Sequence, residues 1–403
     1  MSHKANRPSD SYSPLYFLAS LGAGGLAVTF FMWLMHGIPH PGQPVPVFED
    51  IMAAFMSGSG FVQGMILTAM IGIAGFAFLN LKLLVWNLRR FGEWRNSDGY
   101  AKFARTNAQS QVLAMPLALA MSVNVLFVLG MVFVPGLWAV VEYLFPLAMI
   151  AFLGIGAYGF KLYGAFLGRV LTEGGFNCAA NNNFGQILPA FAFAMVGVGL
   201  AAPAALSTTP ALAGLGLVFS TFFLMTSALI AVVAMILGFR SMMENGANPE
   251  TAPTLSIIVP LLAVLGILSL RQGHGLHEHF GTQAMAGETM LMLAKYLSVQ
   301  ILFLLFAGLI LIRQGYAQRF IFGRETSPGS YALVCPGVGF AVLLHFFINR
   351  GLVDAGLIAK FGPAFWALTS VALVAQVAMI WLVFRLNRRH FGQGSTPEPV
   401  PAE

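Results

Sequence analysis

The chain has 403 residues, 58% hydrophobic and 9% charged, with a mean hydropathy of +0.78. A soluble domain carries about 25% charged residues, and no soluble fold of this size has interior enough to hide so much apolar surface. The composition therefore excludes a water-soluble enzyme, and the net charge of +6 reports loop sidedness rather than nucleic-acid binding.

Long unbroken apolar runs, without the alternation of barrel strands, predict an all-α integral membrane protein. A hydrocarbon core about 30 Å thick needs roughly 20 apolar residues per helix. That length predicts ten spans, in chain order 14–37, 61–86, 110–134, 138–168, 182–205, 210–239, 253–270, 287–313, 330–349 and 363–387. They form one transmembrane domain over 14–390, between a cytoplasmic tail at 1–13 and a proline-containing, disordered cytoplasmic tail at 391–403. With the N-terminus cytoplasmic, only Arg271, Arg350 and Lys360 fall outside and Lys295 lies within helix 8. The other 17 of the 21 Lys and Arg residues border cytoplasmic segments. Both termini are therefore expected inside, in a bacterial inner membrane.

Proline punctuates the odd-numbered helices. Pro116, Pro189, Pro260 and Pro336 fall six or seven residues into helices 3, 5, 7 and 9, separated by 73, 71 and 76 residues. An interior proline removes a backbone hydrogen bond and kinks a helix. The period predicts five helix hairpins in a quasi-fivefold arrangement around a central pore, with kinked odd helices inside and straighter even ones outside. Gly22, Gly24 and Gly25 in helix 1 permit close approach of a neighbour, and Gly24 is a pore candidate.

Few residues carry chemistry. The two cysteines, Cys178 and Cys335, have no CxxC spacing, so neither a disulfide framework nor a structural zinc site is expected. Cys335 stands beside Pro336, where it is either a lumen-facing thiol or a small buried hydrophobe. Asn124 lies near mid-membrane on helix 3, free to line a lumen or to bond another helix. His274, His277 and His279 fall in the expected loop after helix 7, near Arg271. They read as part of a cationic anion vestibule with Arg271 and Arg350, or as weak metal ligands; no cofactor is expected. His36 and His345 end helices 1 and 9 on the same side, with haem ligation as an alternative. Glu142 and Lys295 read as structural or snorkelling groups. No Asp or Glu lies inside helices 1, 3, 5, 7 and 9, whereas proton- or sodium-coupled pumps usually need a membrane carboxylate.

Ten helices, an N-in start and proline-kinked inner helices resemble the tellurite-resistance/dicarboxylate transporter family, which includes slow-type anion channels. The resemblance covers residues 14–390. The stretch Tyr331–Gly339 also resembles the TsoY-type (seleno)protein branch. The family implies a pore for small anions, a homotrimer, and a phenylalanine plug on the ninth helix, often before proline. This chain has Cys335-Pro336 at that point, so Phe340 is the candidate substitute. The expected function is passage of an inorganic oxyanion, halide or dicarboxylate through a pore gated near helix 9, without enzymatic activity. The alternatives are a membrane redox protein using Cys335, Cys178 or haem, and a non-transporting assembly subunit.

Overall fold

The computed structural model describes residues 12–282 and 285–391, so most of both predicted tails lies outside the described residues. Every regular element among them is helical. Ten helices are long and apolar enough to cross a membrane: α1 (Pro14–Gly37), α2 (Gly60–Trp94), α3 (Asn107–Phe133), α4 (Leu137–Glu173), α5 (Gly185–Leu206), α6 (Pro210–Asn245), α7 (Ala252–Phe280), α8 (Ala286–Arg313), α9 (Pro328–Val353) and α10 (Pro363–Phe391).

The two sets of helices differ in what covers them. Of each helix's most apolar stretch, 67–94% is buried in the odd-numbered helices but only 22–28% in the even ones. The even helices present Ile236, Leu302, Val374 and similar side chains outward, a surface that lipid covers at no cost. Each odd helix packs on the even helix that follows it. The odd helices also touch one another in the order α1, α3, α5, α7, α9, and α9 touches α1.

Glycine permits the closest of these approaches. A Cβ on Gly25 would stand 2.6 Å from Val338 Cγ1, and one on Gly22 would stand 2.8 Å from Val334 Cγ1, so α1 and α9 meet almost backbone to side chain.

Every odd helix begins as a 3-10 turn and converts to α-helix. The turns are Pro14–Tyr16, Asn107–Leu113, Gly185–Ile187, Ala252–Ser256 and Pro328–Leu333. Ser13, Thr106 and Ser327 cap three of them, accepting from the amides of Leu15, Ala108 and Gly329. Pro116, Pro189, Pro260 and Pro336 all lie at the second or third residue of the α-helical part. There the missing N–H falls where an α-ladder would start, and the 3-10 turn supplies i→i+3 bonds instead, as from Leu188 N to Gly185 O. The departure from α geometry is thus a change of helix type at the entry of each span. Pro146 in α4 and Pro203 in α5 are the prolines inside α-helix.

The turns meet one another. The first touches the second and the last, the second touches the third, and the fourth touches the last. The Phe184 amide, just before the third turn, donates to Thr254 Oγ1 of the fourth at 3.0 Å. Polar side chains from even helices bond the odd helices near this level. Asn80 Nδ2 donates to Ser20 O at 2.8 Å, Ser227 Oγ to Ala190 O at 2.7 Å and Gln300 Nε2 to Val259 O at 2.7 Å.

Candidate functional site

Beyond the 3-10 collar the odd helices separate around a cavity of about 570 Å³. Its inner end is walled by Leu21, Met121, Phe191, Pro260 and Cys335, one or more from each odd helix, close to the 3-10-to-α junctions. Its other end is formed by the C-terminal ends of the same helices, the half-buried His40 and Gln43, and the exposed Arg350, Asp354 and Lys360. The cavity is therefore closed by the collar and opens at the opposite end.

Most of the wall is apolar, with valine, methionine, leucine and phenylalanine making up half of it. The notable exception is Arg271. Helix α7 carries it on the same face as Val264 and Ile267, two turns and one turn away, which places the guanidinium on the cavity wall. One of its Nη atoms donates to the Val198 carbonyl of α5 at 2.6 Å. The ion pairs among the described residues are Arg90–Glu93, Arg240–Glu244, Arg319–Glu325 and Arg350–Asp354, so Arg271 has no carboxylate. Arg271 is half-buried on the cavity wall. Asp354 is the carboxylate in the wall, and Arg350 holds it at 3.3 Å.

The structure brings several sequence candidates together and separates others. Cys335, Pro260, Asn124, Arg271, Arg350 and His274 all line the cavity. Cys335 is buried at the inner end and Cys178 is exposed. Asn124 turns its amide back to its own helix, where Nδ2 donates to Ala120 O at 3.0 Å. Pro116, Pro189 and Pro336 set the helix entries and stand outside the wall. Phe340 also stands outside it: the wall stripe on α9 runs Cys335, Val338, Val342 and Phe346, and Phe340 packs on apolar clusters behind that stripe. Gly24 faces away as well, since a Cβ there would meet Met121, Asn80 and Val125, while Gly22 and Gly25 border the cavity.

The three histidines require a correction. They lie in the last turns of α7, which continues to Phe280, not in a loop. The shorter predicted span stopped at the first polar residues, but an amphipathic helix end runs on past the hydrocarbon. His277 Nδ1 bonds the Thr282 carbonyl at 2.7 Å and His279 Nε2 the Ser207 carbonyl at 2.9 Å, which leaves His274 on the cavity. No group of three or more metal-ligating side chains is found among the described residues. His36 lines the cavity and stacks on His345 with ring centroids 6.4 Å apart. Glu142 serves the α5–α6 connection, accepting from Ser207 Oγ and the Thr208 amide at 2.8 and 2.6 Å.

Sequence reasoning missed Asn80, whose side chain joins α1, α2 and α3 through Ser20 and Ser122. A lone asparagine in an otherwise apolar run was the available signal. It also missed Lys360 as a mouth residue. The chain matches no family model, no curated protein and no solved structure.

Proposed function

We propose that this chain is a membrane transport protein that passes anions through the cavity between its odd-numbered helices. The observation that carries the reading is Arg271. A guanidinium stays charged at neutral pH, and enclosing a cation without a counter-charge is costly. A carbonyl dipole offsets part of that cost, and an anion in the cavity would offset the rest. The mouth adds His40, His274 and Lys360, and the carboxylate there is already held by Arg350. Such a path attracts anions and repels cations.

In this reading the ten helices are five hairpins in quasi-fivefold order, and the 3-10 collar is the closed gate. The packing of each odd helix on its even successor and the contact of α9 with α1 support it. The excess of Lys and Arg at the collar end supports a cytoplasmic collar and termini, and the reading takes the membrane to be a bacterial inner membrane. The reading keeps the resemblance to the tellurite-resistance/dicarboxylate transporter family, which would make the protein a homotrimer. The gate, however, would lie below Cys335 in the collar rather than at a phenylalanine on α9.

The test is flux into liposomes holding the purified protein, across chloride, nitrate, sulfite, thiosulfate, selenite, tellurite and succinate. Flux of at least one anion, reduced in Arg271→Gln, supports the reading. No flux of any anion through wild type or a collar-loosened variant sinks it.

A second reading, a redox membrane protein, has one observation in its favour. The Nε2 atoms of His36 and His345 are both buried without a hydrogen-bond partner. A haem absorbance band in the purified protein would bring it forward.

A further inference from the structure

The transport reading leaves the class of anion open, and the cavity wall narrows it. We infer that the cavity binds an organic monoanion, a carboxylate or sulfonate headgroup on an apolar body, with the headgroup on Arg271 and the body against the wall toward the collar. The inference rests on the transport reading only in taking the cavity as the ligand's place.

Three observations carry it. The first is size. A cavity of about 570 Å³ falls within the range of roughly 300–1,000 Å³ that takes drug-sized molecules, far more than a bare inorganic ion fills.

The second is the wall. Between Arg271 and the collar it consists largely of Val28, Val128, Phe191, Met195, Val264 and Val338. These groups replace none of the water that a chloride or nitrate ion sheds, and Asn124 Nδ2 donates to Ala120 O and Met195 Sδ. An apolar body gains from the same wall what a small ion loses, because burying it removes apolar surface from water.

The third is charge count. Arg271 is the cation enclosed in the wall without a carboxylate. Arg350, at the mouth, is paired with Asp354 at 3.3 Å. One enclosed positive charge matches one negative charge. A dicarboxylate would leave its second carboxylate against apolar wall or at the exposed mouth, where Arg350 is already paired and solvent screens the charge of Lys360. The fork of donors on a guanidinium suits the two or three coplanar acceptors of a carboxylate or sulfonate.

The experiment is calorimetric binding to the full chain in lipid nanodiscs, with empty nanodiscs as the blank. The probes are benzenesulfonate, benzoate, chloride, nitrate and succinate. Benzenesulfonate and benzoate should bind at least about tenfold more tightly than the other three. Arg271→Gln should weaken them by about tenfold or more, the effect of losing a charge-assisted hydrogen bond. Arg271→Lys should retain part of the binding. Ile267→Trp, which fills the cavity one turn from Arg271, should block it with the cation intact, and serves if Arg271→Gln fails to fold. Chloride, nitrate or succinate binding as tightly as benzenesulfonate would overturn the organic monoanion and leave anion transport standing. Benzenesulfonate binding unchanged in both Arg271→Gln and Ile267→Trp would overturn the site. No binding by any probe, together with no flux of any anion, would overturn the transport reading as well.

Discussion

The two ends of this bundle treat positive charge in opposite ways. At the collar end, protein groups hold several of the cations. Arg389 donates to the carbonyls of Phe320, Ile321 and Glu325 at 2.7–2.9 Å, Arg385 reaches Ile321 O at 3.2 Å, and Arg319 grips the Glu325 carboxylate with two bonds. Three of the four ion pairs among the described residues lie at this end. At the cavity end Arg271 has one carbonyl, and the His36 and His345 rings keep buried nitrogens without partners. Polar groups inside a folded protein are normally satisfied. The end that holds arginines on protein carbonyls and carboxylates is the one that closes the molecule, and the end that leaves Arg271 without a carboxylate is the one that opens on solvent. On the proposed transport reading, the contrast separates structural charge from charge held ready for a ligand.

The collar end should therefore be the stable one, and the largest test is to wedge it. A Cβ on Gly339 would stand 2.7 Å from Pro260 Cα, a backbone atom that cannot swing aside. Gly339→Val should force α7 and α9 apart where the cavity meets the collar and cost about 1–3 kcal/mol. Leu302→Ala on the outward face of α8, where the side chain is 61% exposed, should change stability by less than about 0.5 kcal/mol. Unfolding in detergent compares the two. Equal effects would mean that odd and even helices are not inner and outer.

Next in size is the polar joint. Asn80 donates to Ser20 O and Ser20 Oγ and accepts from Ser122 Oγ, at 2.8–3.0 Å. Asn80→Leu removes all three bonds from a fully buried site and should cost about 1–2 kcal/mol, the scale of interhelical hydrogen bonds in membranes. A melting temperature equal to wild type would show that the outer helices hold the inner ones by packing alone.

These joints also mark how far the sequence could be read. Ten spans were legible because their hydropathy is set residue by residue, and the proline period placed the helix entries within a few residues. The form of those entries was harder to read. Proline removes a donor wherever it stands, and only the capping residues Ser13, Thr106 and Ser327, with the i→i+3 bonds after them, distinguish a 3-10 start from a kink. At the site, Arg271, Arg350, Cys335 and Asn124 were picked from charge or oddity against an apolar background, and all four line the cavity. Phe340 and Gly24 were misplaced because helix rotation decides which face a residue presents. Uniformly apolar spans such as α9 carry no amphipathic signal of rotation. The direction of Arg271 depends on a contact from α5, 73 residues away in sequence, and no local pattern reports that.

A smaller effect probes the collar itself. The Phe184 amide donates to Thr254 Oγ1 at 3.0 Å, linking the third and fourth turns. Thr254→Val keeps the shape and leaves that buried amide without an acceptor, a cost of about 1 kcal/mol. Peptides containing Phe184 should exchange hydrogen faster, and flux through liposomes should rise if the collar is the gate. Faster exchange without altered flux would keep the collar as structure and move the gate elsewhere.

The smallest effect concerns the Arg319–Glu325 pair. The bonds from Arg319 hold the Glu325 carboxyl below its ordinary pKa of 4.5. A lowered folded-state pKa contributes stability that is fully present above the ordinary value and lost as pH falls through the lowered one. Both side chains are close to half exposed, at 45% and 40%, so salt screens the contribution. At low ionic strength the melting difference between wild type and Glu325→Gln should be small at pH 7 and vanish as pH falls below the carboxylate range. Arg271→Gln should behave differently. With no carboxylate opposite Arg271, its difference from wild type should show no such acid transition and should respond instead to added benzenesulfonate. An acid transition in the Arg271→Gln difference would mean that a carboxylate holds Arg271 after all, and the contrast between the two ends would collapse.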